Sequence, residues 1–459
     1  MPKPVWTVSQ IAAHLIRPGI AWSTQSPVSY AFYGAPAPHL GQSWPNFSPF
    51  SAEQRQALAW VFQLISDVAD ITFAQVPDNG QAPGPANSRI GFYNVNGSTV
   101  PFWGAATNYS IETLPERDRI WGDDVVVNLF RANVQGGWTP GESNPRKLMH
   151  EALHAVGIAH PGAYNGDSAP DYENGAEYEQ DSNQYTVMSY WAASNTGAVH
   201  QIGGTTWWGA TPLLHDIAAL QLLYGANMAT RTGDTVYGFN STAGRPSFDL
   251  SLSQVRVFSI WDAGGRDTLD LSGFSTHSRI DLAEGAFSDA AGLTKNISIA
   301  HGAVIENARG GAGDDILAGN EAANRLEGGD GADSLAGGRG VDRLVGGGGA
   351  DVFVFSSLGD SQSYAHRSDG KKFAPDTVAD FQSGADRIDL SGIDAVWGTA
   401  ANEGFTWIGA AAFSGHAGEL RAVQSPDRAQ VFADVDGNGT ADFHVVVMSA
   451  TIAASDFIL

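Results

Sequence analysis

The sequence predicts an α+β domain followed by an all-β domain in which a parallel β-roll continues into a β-sandwich. Three observations support this prediction. Apolar residues in the first half recur at helical spacing or in short strand-like runs. After about Asn227 the composition changes to glycine, aspartate and short β segments, and nine-residue repeats begin at Gly310. We therefore predict domains at residues 1–227 and 228–459, each large enough to bury its own core.

The first half should contain a sheet and two long helices. Residues 51–71 have helical apolar spacing, with Ser51 as the N-cap and Glu53 and Gln54 in the first turn. Strand-like stretches follow in the order ITFAQV, RIGFYNV and DDVVVNLF. Pro212 is predicted to open a further helix, LLHDIAALQLLYG, which Gly225 would end.

The string HEALHAVGIAH has the spacing of a catalytic zinc site. His150 and His154 are four residues apart, so they share one helix face. Gly157 can reverse the chain through a left-handed conformation, which lets His160 reach the same ion. Three neutral imidazoles leave zinc one open position for a water, and Glu151 is placed to take that water's proton. The short HExxH form alone also fits a solvated helix face, but the extended spacing is improbable by chance.

A second motif, TVMSYW, spans Thr186–Trp191. Met188 alone would be read as core filler, but HExxHxxGxxH followed by a methionine turn resembles the metzincins. MSYW together with Pro161 narrows the resemblance to the serralysins, which are secreted bacterial metalloproteases. The resemblance implies a metzincin-type catalytic domain with Met188 beneath the zinc ligands. It also implies Tyr190 as a fifth ligand that swings away to hydrogen-bond the oxyanion. Leu153 replaces a common family glycine, which bears on packing.

Five nonapeptides run in register over residues 310–354 and share the form G-G-x-G-x-D-x-U-x of the calcium-binding parallel β-roll. Each should form a turn and a short strand, with these residues stacked inside: Leu317, Leu326, Leu335, Leu344 and Phe353. Because two units make one coil, each ion would lie between turns of successive coils. A flexible glycine-rich linker is the alternative, and the strict register argues against it.

Glycine carbonyls and aspartate carboxylates of the turns supply the hard oxygen ligands that calcium prefers. The predicted calcium ligands of the repeats are Gly311, Gly313, Asp315, Asn320, Ala322, Asn324, Gly328, Gly329, Asp330, Gly331, Asp333, Gly337, Gly338, Arg339, Gly340, Asp342, Gly346, Gly347, Gly348, Gly349 and Asp351. The second unit departs from the pattern, with Asn324 at the aspartate position and Asn320 replacing a glycine. We expect a weaker site there.

Two segments before the repeats, RTGDTVYGF and WDAGGRDT, resemble the interdomain calcium sites of serralysins. The resemblance implies one ion held by Arg231, Gly233, Thr235, Asp262, Gly264 and Asp267, and a second held by Gly265, Asp267, Val304 and Glu306. From spacing alone these segments could be ordinary Asp/Gly turns. DVDGNGTADF, which begins at Asp434, is predicted to be a turn first and a weak calcium site second.

Composition favours a secreted, metal-dependent protein. The chain has 25 basic and 49 acidic residues, a formal charge of −24, which argues against nucleic acid or an anionic membrane as partner. There is no cysteine, so bound metals are the expected source of extracellular stability. No apolar run approaches the length of a membrane span, and the start lacks the pattern of a secretory signal peptide.

The C-terminal SDFIL resembles the uncleaved signal of proteins that an ABC-type exporter secretes in one step. We therefore expect an extracellular protein of the type I pathway whose repeats fold when they meet calcium outside the cell. The resemblance also implies a small periplasmic protein inhibitor as partner. We expect a monomer.

The sequence thus predicts a serralysin-type zinc endopeptidase with one catalytic zinc and several structural calcium ions. Its substrates should be extended polypeptides bound as an added strand, with VPFWGAATNY from Val100 as the upper edge strand of the cleft. The alternatives are a calcium-stabilised adhesin or surface-binding module with a vestigial zinc site, and a specialised amidase with a narrow substrate.

Overall fold

The computed structural model describes residues 2–16, 20–36, 46–81, 87–97, 104–112, 118–132, 136–165, 171–253, 255–361, 374–398, 402–449 and 451–459. Residues 100–103 of the predicted edge strand lie outside these ranges. None of the helices in the described part of the chain is long and apolar enough to cross a membrane.

The N-terminal half combines helices with one sheet. The helices are α1 (Val8–Leu15), α2 (Ala52–Val68), α3 (Leu129–Ala132), α4 (Ser143–Ala155), α5 (Tyr172–Gly175) and α6 (Leu214–Tyr224). The strands are β1 (Ile20–Ala21), β2 (Val28–Phe32), β3 (Phe73–Gln75), β4 (Arg89–Val95), β5 (Gly104–Glu112), β6 (Asp118–Asn128), β7 (Gln201–Ile202) and β8 (Thr205–Thr206).

The main sheet of this half has the order β3-β2-β4-β6-β5, and β1 pairs with the first residues of β6. All of its pairings are parallel except that of β5, which runs antiparallel to β6. The predicted strand RIGFYNV is β4 and is buried along its whole length, as expected for a central strand. The antiparallel strand β5 therefore lies at one edge of a largely parallel sheet.

Two of the predicted helices are confirmed. Helix α2 begins after Ser51, whose side chain accepts from the amide of Gln54, while Gln54 reaches back to the amide of Ser51. The helix ends at Val68, three residues before the predicted end. Helix α6 ends at Gly225 as predicted but begins at Leu214, so that Pro212 precedes the helix and does not open it. Both helices pack close to α4 or to each other.

The C-terminal half is built of short strands. They are β9 (Val236–Gly238), β10 (Phe258–Ile260), β11 (Thr268–Asp270), β12 (Arg279–Asp281), β13 (Phe287–Ser288), β14 (Ile297–Ile299), β15 (Asn307–Arg309), β16 (Ile316–Ala318), β17 (Arg325–Asp330), β18 (Ser334–Ala336), β19 (Arg343–Gly348), β20 (Val352–Val354), β21 (Asp376–Val378), β22 (Arg387–Asp389), β23 (Thr406–Trp407), β24 (Glu419–Gln424), β25 (Ala429–Asp434), β26 (Phe443–Val447) and β27 (Phe457–Ile458).

These strands form the predicted roll. Successive repeats alternate between a ten-stranded sheet, which contains β15-β17-β19, and a six-stranded sheet, which contains β16-β18-β20. The pairings are parallel, with Leu317 beside Leu335 and Leu335 beside Phe353 in one sheet, and Leu326 beside Leu344 in the other. All five of these side chains are fully buried. One coil thus consists of two nonapeptides, and the stacked apolar side chains fill the space between the sheets.

A buried ion cluster joins the two halves. Asp67, at the end of α2, accepts hydrogen bonds from Arg231 at 2.9 Å and from Arg245 at 2.8 Å. Arg231 also donates to the carbonyl of Trp261 and to the hydroxyl of Tyr237. The hydrophobic core is continuous across this junction, which fixes the helical half on the start of the roll.

Candidate metal centre and active site

Helix α4 and the turn after it bring the three predicted histidine ligands together. His150 and His154 lie one turn apart on the helix. The helix ends at Ala155, and Gly157 follows with φ of +96°, in the left-handed region. A Cβ at this position would lie 2.4 Å from the carbonyl oxygen of Ile20, so glycine is required both for the turn and for the close approach. The reversal carries His160 back to the helix.

The metal-binding nitrogens of the three rings converge. The Nε2 atom of His160 lies 3.0 Å from Nε2 of His150 and 3.0 Å from Nε2 of His154. Each ring donates its Nδ1 hydrogen to a main-chain carbonyl: His150 to Val187 at 2.9 Å, His154 to Ile158 at 2.7 Å and His160 to Tyr164 at 3.0 Å. These bonds leave a lone pair on every Nε2, which is the tautomer a zinc ion requires. The residues present therefore fit a zinc ion.

The electrostatics of the site favour neutral imidazoles. Burial lowers the pKa of His150 well below its ordinary value, and the neighbouring His154 and His160 lower it further. Burial also lowers the pKa of His154 to about 4, against the effect of its hydrogen bond to Ile158. Neutral rings are the state that binds metal near neutral pH.

Glu151 is buried beside the histidines and beneath the edge strand β5. Burial raises the pKa of its carboxyl to about 8, while the cations Arg146 and Lys147 oppose the rise. A Cβ on Gly104, the first residue of β5, would lie 3.0 Å from Cγ of Glu151. The absence of a side chain at Gly104 thus allows the Glu151 carboxyl group to pack against the strand.

The methionine turn contacts the metal centre through the carbonyl of Val187, which accepts from His150. Met188 is fully buried in the core. Asp216 of α6 accepts from the amide of Val187 at 2.8 Å, from the hydroxyl of Thr186 at 2.5 Å and from the amide of Leu213 at 2.9 Å. One buried carboxylate therefore binds the turn through two of its residues, Thr186 and Val187.

Tyr190 stands beside the histidines at the surface. Its ring centroid is 4.8 Å from that of His160 and 5.0 Å from that of Tyr164. Its side chain is 36% exposed, unlike the buried residues below it. The phenol is therefore beside the metal centre and open to a bound substrate.

Three residues of the site belong to none of the motifs that the sequence analysis identified. Gly104, Arg146 and Asp216 reach the centre only through contacts between segments that are distant in the chain. Arg146 lies one turn before His150 on α4, which is the only hint that the sequence offers.

Comparisons with known proteins agree with this geometry. Residues 226–459 match the family model described as Peptidase M10 serralysin C terminal. The chain is 43% identical to Metalloprotease AprA of Pseudomonas entomophila (strain L48), with 100% of this chain and 91% of that protein covered. It is 38% identical to Serralysin G of Dickeya chrysanthemi, with 100% and 92% covered.

The chain belongs to the serralysin family. It is a zinc metalloendopeptidase, which sets aside the surface-binding alternative, and the predicted combination of a metzincin-type catalytic domain with a β-roll is confirmed.

The repeat aspartates of this serralysin form two ladders. In one, Asp315 donates its amide to Asp333 Oδ1 at 2.7 Å, and Asp333 donates to Asp351 Oδ1 at 3.0 Å. In the other, Asn324 donates to Asp342 Oδ1 at 2.8 Å, and Asp342 donates to Asp376 Oδ1. The second oxygens of Asp333, Asp342 and Asp376 are buried and make no hydrogen bond among the described residues. Such oxygens suit a cation.

The repeat glycines allow successive turns to touch. A Cβ on Gly329 would lie 2.0 Å from the carbonyl oxygen of Gly311, and one on Gly347 would lie 1.9 Å from that of Gly329. The same close approach joins Gly331 to Gly313, Gly349 to Gly331, Gly338 to Asn320 and Gly340 to Ala322. Gly328, Gly337 and Gly346 each lie against the aspartate of their own turn, while Asp330, Arg339 and Gly348 lie exposed at the outer edge.

The turn of the second unit differs from the others. Asn324 Nδ2 donates to the carbonyl of Glu306 at 3.0 Å and to Oδ1 of Asn320 at 3.0 Å. Asn320 Nδ2 donates to the carbonyls of Leu282 and Ile305. Amide hydrogens of Asn320 and Asn324 therefore bind carbonyl oxygens in this turn, and Asn324 lacks the second carboxylate oxygen that Asp333 and Asp342 have.

Several of the predicted interdomain ligands contact one another. Asp267 Oδ1 accepts from the amide of Thr235 at 2.8 Å, and the amide of Asp267 donates to Glu306 at 2.8 Å. Asp262 accepts from the amide of Gly264 at 2.9 Å, and a Cβ on Gly265 would lie 2.7 Å from the carbonyl oxygen of Gly233. Asp267 Oδ2 is a further buried oxygen without a partner among the described residues. Arg231 has a positive φ of +48° at the start of this cluster, and Val304 is exposed.

The segment from Asp434 forms the predicted turn. Asp434 accepts from the amides of Gly437 and Gly439, and Asp442 accepts from the amide of Val435. Carboxylate oxygens of Asp434, Asp436 and Asp442 lie within 4.8 Å of one another. Their hydrogen bonds account for the turn without an ion.

Proposed function

We propose that this enzyme cleaves extended polypeptides with Glu151 as the general base and Tyr190 as a donor to the oxyanion. The proposal rests on one observation. Nε2 of His160 lies 3.0 Å from Nε2 of both His150 and His154, and the buried carboxyl group of Glu151 lies beside them on the helix that carries His150 and His154. His150, His154 and His160 would hold the zinc. A carboxyl group next to such a centre is in reach of a water that binds there.

Zinc, when bound, acts as a Lewis acid that polarises the scissile carbonyl and lowers the pKa of a coordinated water to about 7. Glu151 takes one proton from the attacking water as the new C–O bond forms. It then gives that proton to the leaving nitrogen as the C–N bond breaks. The phenol of Tyr190 donates a hydrogen bond to the carbonyl oxygen while negative charge develops on it.

The edge strand β5 is the proposed docking element for the substrate. It pairs only with β6 among the described strands, so its other edge can accept an extended peptide as an antiparallel or parallel neighbour. Gly104 lies directly against Glu151, so a peptide on this edge passes over the general base. This extends the prediction that the segment from Val100 forms the upper edge strand of the cleft.

We also propose that residues 1–227 form the catalytic domain, while residues 228–459 form a calcium-binding domain that ends in a secretion signal. The buried oxygens of Asp267, Asp333 and Asp342 that have no partner among the described residues support the calcium sites, with a weaker site at Asn320 and Asn324. Calcium outside the cell would then drive the folding of the roll after export by an ABC-type exporter. A small periplasmic inhibitor remains a family-based expectation.

The mechanism is tested with Glu151→Gln, which keeps the size of the side chain and removes its basicity. Glu53→Gln, on the exposed first turn of α2, is the matched control. Casein hydrolysis should fall by about 10²- to 10⁴-fold in Glu151→Gln and stay unchanged in the control. Zinc content should be equal in all three proteins. Wild-type turnover by zinc-loaded Glu151→Gln would overturn the assignment.

A further inference from the structure

We propose that Arg146 is a positioning residue for Tyr190. Its buried guanidinium fixes the main chain on both sides of this tyrosine relative to the helix that carries the zinc ligands. The inference rests on the proposed function of Tyr190 as an oxyanion donor.

The hydrogen bonds of Arg146 reach the residues on both sides of Tyr190 in the chain. Arg146 Nη2 donates to the carbonyl oxygen of Ser189 at 2.7 Å and to the side-chain oxygen of Asn183. Asn183 in turn donates its main-chain amide and its Nδ2 to the carbonyl oxygen of Trp191, at 2.9 Å and 2.7 Å. The carbonyls before and after Tyr190 are therefore both connected to one cation, directly on one side and through Asn183 on the other.

Arg146 is a buried cation, and its hydrogen bonds in the described part of the chain go to neutral oxygens. Arg146 is 7% exposed, and its guanidinium lies 5.4 Å from the ring centre of Trp208. No carboxylate in the described ranges lies within ion-pair distance of it, and its Nε makes no hydrogen bond there. Burying a charge that is bound only to neutral oxygens lowers the stability of the folded state. An apolar side chain of the same length would fill the space without this loss of free energy. A role in placing the carbonyls explains why a cation lies there.

The hydrogen bond from Arg146 to Ser189 connects the chain beside Tyr190 to the helix that carries two of the zinc ligands. Arg146 is four residues before His150, so the two side chains share one face of the helix. The ring of Tyr190 lies beside those of His160 and Tyr164, so a shift of its main chain would move the phenol relative to the metal centre. A displacement of about 1 Å at a catalytic group can cost about 10²-fold in rate.

The test is a double-mutant cycle with Arg146→Met, Arg146→Lys, Tyr190→Phe and the double variant Arg146→Met/Tyr190→Phe. kcat and KM are measured on one peptide, zinc content by elemental analysis, and the affinity for a phosphinic peptide, which resembles the tetrahedral transition state, by calorimetry. Arg146→Met should keep zinc and KM while kcat falls by about 10- to 100-fold. Its affinity for the phosphinic peptide should fall by the same factor. Arg146→Lys, which can still donate to Ser189, should recover part of both.

Non-additivity decides the outcome. With Tyr190 already replaced, Arg146→Met should cost nothing further in kcat. Additive losses in the cycle, or a loss of zinc from Arg146→Met, would overturn the inference and leave the role of Tyr190 standing. Full kcat in Tyr190→Phe would instead overturn the proposed role of Tyr190 and this inference with it. Should Arg146→Met not fold, Asn183→Ala enters the same cycle with the same expected non-additivity, and additive losses there count equally against the inference.

Discussion

Asp216 accepts a hydrogen bond from the main-chain amide of Val187 at 2.8 Å. The carbonyl of Val187 in turn accepts from Nδ1 of His150 at 2.9 Å. One buried carboxylate on α6 therefore holds the amide of the residue whose carbonyl orients a zinc ligand on α4. Replacing the groups that orient metal-binding histidines typically lowers metal affinity or activity by about 10- to 100-fold.

Replacing Asp216 should weaken zinc binding. Asp216→Ala leaves the buried amides of Val187 and Leu213 without an acceptor, so zinc affinity should fall by about 10- to 100-fold. The free energy of unfolding should fall by about 2–3 kcal/mol. Asp216→Asn keeps one oxygen for the amides and can donate to Thr186, so it is the milder control. Competition with a chromophoric chelator measures the affinity, and equal values for wild type and Asp216→Ala would refute the support role.

The same carboxyl group makes stability depend on pH. Burial raises the pKa of Asp216 from 3.8 to about 6 in the folded protein. Between these values the folded state holds a proton that the unfolded state has released, so this contribution to stability falls as pH rises from about 4 to about 6. Asp216→Asn lacks the titration and should gain about 2 kcal/mol relative to wild type between pH 4 and pH 7.

Denaturant unfolding of the two zinc-free proteins at both pH values provides the measurement. A difference between wild type and Asp216→Asn that does not change with pH would contradict the raised pKa. A difference that changes in the opposite direction would mean that the carboxylate is better solvated by its hydrogen bonds than by water.

Gly157 should tolerate no side chain. In Gly157→Ala the added Cβ would lie 2.4 Å from the carbonyl oxygen of Ile20, at a φ of +96°. Gly80→Ala is the matched control, because its φ is +70° and no atom of the described residues lies within 4 Å of the added atom. We expect a loss of about 1 kcal/mol in the control and more than about 3 kcal/mol in Gly157→Ala. Thermal unfolding compares them, and equal losses would show that backbone strain alone matters.

Asn324 should control the calcium content of the roll. In Asn324→Asp the donor to the carbonyl of Glu306 is lost and a carboxylate is gained, so calcium should bind there more tightly. Asp333→Asn makes the reverse change in the next unit and should weaken a site. Burial raises the pKa of Asp333 to about 7. The calorimetric titrations are therefore done at pH 8, where this carboxyl group is ionised. Identical calcium stoichiometry and affinity in both variants and wild type would contradict this assignment of the turns.

The features that the sequence predicts are those encoded by neighbouring residues. His150, His154 and His160 lie within one helix and its terminal turn, and the repeats place a hydrophobe at each ninth position, so spacing alone indicates both. Asp216, Arg146 and Gly104 could not be predicted, because their roles depend on how distant segments pack. The same holds for the amide contacts of Asn324, which appear only when the coils are stacked.

The zinc content of active enzyme tests the central claim most directly. Freshly purified protein is analysed for metals, and the same sample is assayed on casein before and after treatment with a zinc chelator. The three converging Nε2 atoms predict about one zinc per chain, with activity lost on chelation and regained when zinc is returned. Full activity in a sample that contains no zinc would contradict the account.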